Sequence, residues 1–144
     1  MNGKAGDKEI LLVEDNPDDA ELTRIAFADS GHGYRLRLVS DGAEAVAYLQ
    51  GCTSAELPAL VLLDLNLPKL DGREVLQAIR TAPATRSLPV VVLTTSAEPF
   101  DVDKVYALGA NSYIQKPVDF ERFVEVVRQI GLYWLALNQP PTKN

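Results

Sequence analysis

Five residues, each just after a short candidate strand, have types that suit phosphoryl chemistry. They are Glu14 and Asp15 after Ile10–Val13, Asp64 after Leu60–Leu63, Thr94 after Pro89–Leu93, and Lys116 after Asn111–Gln115. A carboxylate can act as a nucleophile and form an acyl phosphate, and Asp64 is the candidate. The Thr94 hydroxyl can donate to a phosphoryl oxygen, and Lys116 is a mobile point charge suited to the same group. Glu14, Asp15 and Asp64, brought together, would repel one another, the more so when partly buried. A hard divalent cation relieves that repulsion. Carboxylates, a carbonyl and waters in an octahedron describe a Mg²⁺ site, and the metal would screen the carboxylate from an incoming phosphoryl group. Taken singly, Glu14 and Asp15 could be helix-entry charges, Thr94 a turn hydroxyl and Lys116 a surface cation. Their arrival at one place is what the fold must supply.

The apolar runs are the elements that would deliver them. Leu60-Val61-Leu62-Leu63 ends abruptly in Asp64, with Pro68 and Asp71-Gly72 as turn signals beyond. Such a run fits a strand buried on both faces, although periodicity alone leaves a short helix open. Ile10–Val13 and Val90–Leu93 read the same way. Tyr34–Val39 alternates apolar and basic residues, as an edge strand guarded by Arg35 and Arg37 does. Helical segments intervene. Pro17 opens the first, with Asp18, Asp19 and Glu21 at its positive end and Leu22, Ile25, Ala26 and Phe27 on its apolar face. Ser30–Gly33 ends it, and His32 reads as a loop residue. Ser40-Asp41-Gly42 caps the second, which carries Ala43, Val46, Ala47 and Leu49. Val75, Leu76 and Ile79 mark the third; Val102, Val105, Tyr106 and Leu108 the fourth. Asp119 caps the fifth, with Phe120, Phe123, Val124, Val127 and Ile130 as its core stripe.

Strand then helix, five times over, predicts an α/β protein: a doubly wound parallel sheet between two helical layers. Right-handed crossovers with one reversal give the flavodoxin-like (βα)5 strand order 2-1-3-4-5. In that order the strand ends carrying Glu14, Asp15, Asp64, Thr94 and Lys116 share one sheet edge. The chain of 144 residues suits one domain, predicted over residues 9–137 between a flexible N-terminus at 1–8 and a tail at 138–144. A net charge of −6 with no basic stripe argues against nucleic-acid or anionic-membrane binding. No apolar run is long enough to span a bilayer, and the first residues lack a secretory signal. Cys52 is the single cysteine, which excludes an internal disulfide. The default expectation is a cytoplasmic protein.

The chain resembles a bacterial response-regulator receiver domain along nearly its whole length. Leu-Val-Glu-Asp at 12–15, Leu-Asp-Leu-Asn-Leu-Pro at 63–68, Asp71-Gly72, Leu-Thr-Thr-Ser at 93–96 and Tyr-Ile-Gln-Lys-Pro at 113–117 carry the resemblance, as an ordered set. It implies that Asp64 accepts a phosphoryl group from a histidine kinase. It also implies Mg²⁺ held by Asp15, Asp64 and the Asn66 backbone carbonyl with Glu14 assisting, Lys116 paired with the phosphoryl group, and a cis Lys116–Pro117 bond. The protein would catalyse its own phosphoryl transfer and slow dephosphorylation, without being an enzyme for other substrates. The same resemblance implies a switch, in which Thr94 moves toward the phosphoryl group and Tyr113 rotates inward, and it places Asn66 and Ser96 beside the phosphorylation site. Glu14 departs from the two aspartates that many relatives carry there.

The tail after Asn138 cannot house a DNA-binding domain, so output is expected through protein contacts. Val126, Leu132, Tyr133, Trp134, Leu135 and Leu137 exceed what one core stripe needs. With Val102, Val105 and Tyr106 they suggest a two-fold dimer through the fourth and fifth helices, against the alternative of a C-terminal extension folded back on its own domain. The Asp-Asn-Pro-Asp-Asp-Ala entry and the Tyr-Trp-Leu-Ala-Leu ending resemble regulators that serve phytochrome histidine kinases; a receiver for a non-photosensory kinase is the alternative. A flavodoxin-like flavin-binding protein would share the topology, but four acids follow the first strand where it needs a phosphate-binding loop. An aspartyl phosphatase of the haloacid-dehalogenase type would need an Asp-x-Asp after that strand, which is absent.

Overall fold

The computed structural model describes residues 8–29, 34–95 and 98–141. Expectations for residues 1–7, the His32 loop, Ser96 and residues 142–144 lie outside them. Five strands, β1 (Lys8–Val13), β2 (Tyr34–Val39), β3 (Leu60–Leu63), β4 (Val90–Thr94) and β5 (Ser112–Gln115), form one sheet in the order β2-β1-β3-β4-β5, every pair parallel. The helices are α1 (Pro17–Asp29), α2 (Gly42–Gln50), α3 (Gly72–Thr81), α4 (Pro99–Ala107) and α5 (Phe120–Gly131).

Strand pleating sorts the apolar runs into two cores, one on each face. Leu11, Val13, Val61, Leu63, Val90 and Val92 pack with α2 and α3 through Ala45, Leu49, Val75, Leu76 and Ile79. Ile10, Leu12, Leu60, Leu62, Val91 and Leu93 pack with α1 and α5 through Ala26, Phe27, Phe123, Val127 and Ile130. Burial on both faces is why these strands read as unbroken apolar runs. Aspartates set the helix entries: the side chains of Asp41, Asp71 and Asp119 accept from the N–H groups of Glu44, Arg73 and Arg122 at 2.7, 2.6 and 2.9 Å.

Several expectations need correction. Lys8 is the first residue of β1, and its Nζ donates to the Leu135 carbonyl at 2.7 Å. On α2 the core residues are Ala45 and Leu49, while Ala43 and Ala47 face outward. Phe120 is 54% exposed, because it occupies the first turn before α5 settles on the sheet; the buried stripe begins at Phe123. Val105 is fully buried in the core against α3 and cannot line a dimer surface. The Lys116–Pro117 bond is trans: no cis peptide occurs among the described residues. Trans is the lower-energy isomer even before proline, and Lys116 continues the ladder by donating its N–H to the Thr94 carbonyl at 2.7 Å.

The C-terminal segment divides its roles. Beyond α5 a turn of π-helix spans Leu132–Leu137. Leu135 is buried with the α1–α5 core and Trp134 packs against it, whereas Leu132, Tyr133 and Leu137 are exposed. Tyr133 and Trp134 meet edge to face at 5.0 Å. No helix among the described residues is long and apolar enough to cross a membrane.

Candidate functional site

The parallel ladder delivers the chemistry-bearing residues to one edge. Glu14 N–H donates to Val39 O at 3.0 Å, and Asp64 N–H donates to Val13 O at 3.1 Å. Thr94 is the last residue of β4, and Lys116 immediately follows β5. In an open α/β sheet this carboxyl edge, at the reversal of strand order, is where ligands bind. The turn after Asp64 is held tightly. Gly72 N–H donates to Leu65 O at 2.9 Å, Asn66 N–H reaches Asp64 Oδ1 at 3.4 Å, and Lys69 takes a left-handed φ of 68°.

Glu14, Asp15 and Asp64 each offer a carboxylate oxygen, all within 4.8 Å of one another. Glu14 and Asp64 are buried and Asp15 is exposed, so the cluster opens to solvent on one side. Hard oxygen donors of this number, leaving room for waters, fit Mg²⁺. Lys116 is 8% exposed, and its ammonium donates to Glu14 Oε1 at 2.8 Å, Asp19 Oδ2 at 2.8 Å and Asp64 Oδ2 at 3.4 Å. Burial alone would lower the pKa of this group. The bonds to Asp19 and Glu14 and the charge of Asp64 outweigh burial and hold Lys116 above its ordinary pKa. Glu14 is also raised, but by burial, which lifts its carboxyl to about 7 against the pull of Lys116. Thr94 Oγ1 is fully buried and has no hydrogen-bond partner among the described residues. A buried hydroxyl without a partner is costly, and a phosphoryl oxygen on Asp64 is an acceptor that would satisfy it.

The structure thus brings together Glu14, Asp15, Asp64, Thr94 and Lys116. Tyr113, two residues before β5 ends, is half-buried against the α2–α3 core, and its N–H donates to the Tyr106 hydroxyl at 3.1 Å. Asn66 is exposed beside Asp64, and Pro117 follows Lys116 at the rim. Of the candidate dimer residues, Tyr106, Tyr133 and Leu137 are exposed, and Val102 and Val126 are half-buried. Asp19 belongs to the site as well, although its sequence position reads only as a helix-entry charge. A cavity of about 570 Å³ lies away from this site, lined by Glu9, Arg35, Arg37, Tyr48 and Cys52 from β1, β2, α2 and the connector that follows.

Comparison with known proteins agrees with this geometry. The family model described as the response regulator receiver domain matches residues 10–128. The chain is 44% identical over 134 residues to the probable methanogenesis regulatory protein FilR2 of Methanothrix harundinacea, covering 92% of this chain and 86% of that one. It is 42% identical over 131 residues to response regulator Rcp1 of Synechocystis sp., covering 89% of each. Rcp1 is known in a Mn²⁺-bound form, which superposes with a TM-score of 0.86 at 40% identity, covering 94% of this chain and 99% of that one. The phosphorylated cyanobacterial phytochrome response regulator RcpA superposes with a TM-score of 0.88 at 42% identity, again covering 94% and 99%. Receiver domains are phosphoacceptors of two-component signalling, interact with histidine kinases and bind Mg²⁺ in an acidic site. With a family match over most of its length and its acids, hydroxyl and lysine at one sheet edge, the chain belongs to the response regulator receiver domain family.

Proposed function

We propose that Asp64 is the phosphoacceptor of this receiver domain. The observation that carries the reading is the ammonium of Lys116 held over the Asp64 and Glu14 carboxylates, with the buried Thr94 hydroxyl, which has no partner among the described residues, at the same sheet edge. As an Asp64 oxygen bonds to phosphorus, the P–N bond of a kinase phosphohistidine breaks. Asp15, Asp64 and the Asn66 backbone carbonyl would hold Mg²⁺, with Glu14 assisting, and the metal would screen the charge of the group in transfer. Thr94 donates to one phosphoryl oxygen and Lys116 to another. Thr94 and Tyr113 then carry the switch toward α4 and β5. The protein catalyses its own phosphorylation and slow dephosphorylation and turns over no other substrate.

The kinase is a phytochrome-type light sensor, and the pathway is cytoplasmic. Support comes from RcpA, a phytochrome response regulator. FilR2, described as a regulator of methanogenesis, favours a non-photosensory kinase and keeps that second reading in play. Output passes through protein contacts rather than nucleic acid, by a homodimer in which exposed Tyr106, Tyr133 and Leu137 with half-buried Val102 and Val126 meet their copies.

The test is intact mass after incubation with a small acyl-phosphate donor, with and without Mg²⁺, on the natural chain and on Asp64→Asn. One phosphoryl adduct that needs both Mg²⁺ and Asp64 supports the reading; an adduct on Asp64→Asn overturns it. Transfer from purified phytochrome kinase, compared in red light and darkness, tests the pathway. A monomeric mass in both phosphorylation states at tens of micromolar overturns the dimer.

A further inference from the structure

Asp19 does more than helix entry requires. An acid in the first turn of a helix is favoured by the dipole wherever it points. Asp18 meets that need: it is exposed and makes no ion pair with Lys116. Asp19, the next residue, is turned into the site. Its carboxylate takes a 2.8 Å bond from the Lys116 ammonium, as short as the bond to Glu14 and shorter than the 3.4 Å contact to Asp64.

The backbone that carries this carboxylate is also held in place. Asn16 Oδ1 accepts from the N–H groups of Asp18 and Asp19 at 2.9 and 3.1 Å, and the N–H of Asn16 donates to Glu14 Oε2 at 3.1 Å. Thr23, one turn on, donates its hydroxyl to the Asp19 carbonyl at 2.8 Å. The segment from Glu14 to Asp19 is therefore one braced unit that presents two acids to one ammonium. That ammonium has three protons, and all three are committed. Its weakest contact is with the residue to be phosphorylated. A good bond to a phosphoryl oxygen on Asp64 draws the ammonium toward Asp64 and off the acids that hold it.

Building on the reading of Asp64 as phosphoacceptor, we infer that Asp19 is a positioning residue for phosphoryl transfer: it holds Lys116 in the resting protein and competes with the phosphoryl group for it. Asp19 thus restrains phosphorylation. Removing its charge frees the ammonium for the group in transfer.

The experiment is the rate of phosphoryl adduct formation from a small acyl-phosphate donor with saturating Mg²⁺, read by intact mass. Asp19→Asn is expected to react about fivefold faster, the scale of one charge-assisted hydrogen bond at a partly hydrated site. Asp19→Glu, which keeps the charge, should return to within about twofold of the natural chain, and Asp18→Asn should not differ from it. In a Lys116→Met background Asp19→Asn should change the rate by less than about twofold, because the partner it restrains is gone. Thermal unfolding of each variant confirms that rates are compared between folded proteins. An unchanged rate in Asp19→Asn, or an equal acceleration in the Lys116→Met background, overturns the inference and leaves the phosphoacceptor standing. A folded natural chain that takes no adduct overturns both.

Discussion

A Cβ placed on Gly72 would lie 2.4 Å from the main-chain oxygen of Asp64. The helix α3 therefore starts in contact with the end of β3, and only a residue without a side chain permits it. Asp71 reinforces the entry: it caps α3 and forms a reciprocal capping box with Glu74. Gly72→Ala must push the turn that carries Asp64 away from the sheet edge. Expected are a loss of about 1–3 kcal/mol of stability and a weaker Mg²⁺ affinity. Urea unfolding with and without Mg²⁺ measures both; an unchanged midpoint would show that the turn yields freely.

The Thr94 hydroxyl predicts an opposition between stability and function. It is buried without a partner among the described residues, so the resting fold bears its desolvation cost. Thr94→Val keeps the shape and removes the oxygen, and should stabilise the resting protein by about 1 kcal/mol. The same variant should still accept phosphate on Asp64 yet lose any phosphorylation-dependent change in amide exchange across α4 and β5. A destabilised Thr94→Val would mean that the hydroxyl has a partner in solution.

Glu14 ties metal binding to pH. Burial lifts its carboxyl from an ordinary 4.5 to about 7, so between those values the folded, metal-free protein holds a proton that the unfolded chain has released. That contribution to stability is present in full below about 4.5 and is lost as pH rises through about 7. Mg²⁺ prefers the ionised carboxylate, so its affinity moves oppositely, rising to a plateau above pH 7. Binding should be about tenfold weaker at pH 6 than at pH 8, with proton release on binding near pH 6. Calorimetric titration in two buffers of different ionisation enthalpy counts that proton.

Much of this site was legible because strands announce their ends. Each apolar run stops at a residue that cannot be buried without a purpose, and the 2-1-3-4-5 order places those residues side by side. What escaped was set by side-chain direction, which sequence spacing does not carry. Asp18 and Asp19 are equal as helix-entry acids, yet only Asp19 faces Lys116. The spacing that could have shown it is Asn16 at the cap, which fixes the first turn relative to Glu14. Val105 and Tyr106 are adjacent apolar residues, but the first is core and the second is surface. Ala43, Ala45 and Ala47 are chemically alike, yet only Ala45 is buried, a choice set by how α2 is rotated against the sheet.

Glu9 is a buried acid on β1, just before the apolar run that marks the strand in the sequence. Its carboxylate accepts the Tyr48 hydroxyl at 2.6 Å and lies 3.4 and 3.7 Å from Arg37 and Arg35 on neighbouring β2. Arg37 also covers the Tyr48 ring at 4.6 Å. Burial, then the bond to Glu9, lifts the Tyr48 hydroxyl to about 12. Glu9→Ala leaves the hydroxyl without its acceptor and should cost about 2–3 kcal/mol. Its position is four residues upstream of the edge where β1 delivers Val13, so phosphorylation of the folded fraction should be unchanged. Spectrophotometric titration should show Tyr48 ionising at lower pH in the variant.

Leu135 and Leu137 separate the two roles of the C-terminal segment. Leu135 is 4% exposed among Phe27, Phe123 and Ile130 of the α1–α5 core, and its carbonyl is tied to Lys8. Leu137 is 61% exposed, beyond the reach of that core. Leu135→Ala should cost about 2–5 kcal/mol, as a cavity in a packed core does, and should loosen the first strand through Lys8. Leu137→Ala should stay within about 0.5 kcal/mol of the natural chain, because its side chain is already in water. If the exposed face of this segment joins two copies, Leu137→Ala and Tyr133→Ala should weaken the dimer by more than about tenfold while thermal unfolding of the monomer is unmoved. Sedimentation equilibrium reads the first and calorimetry the second. A dimer that survives both changes would place the contact elsewhere, and one that fails only in Leu135→Ala would mean that the segment serves its own domain alone.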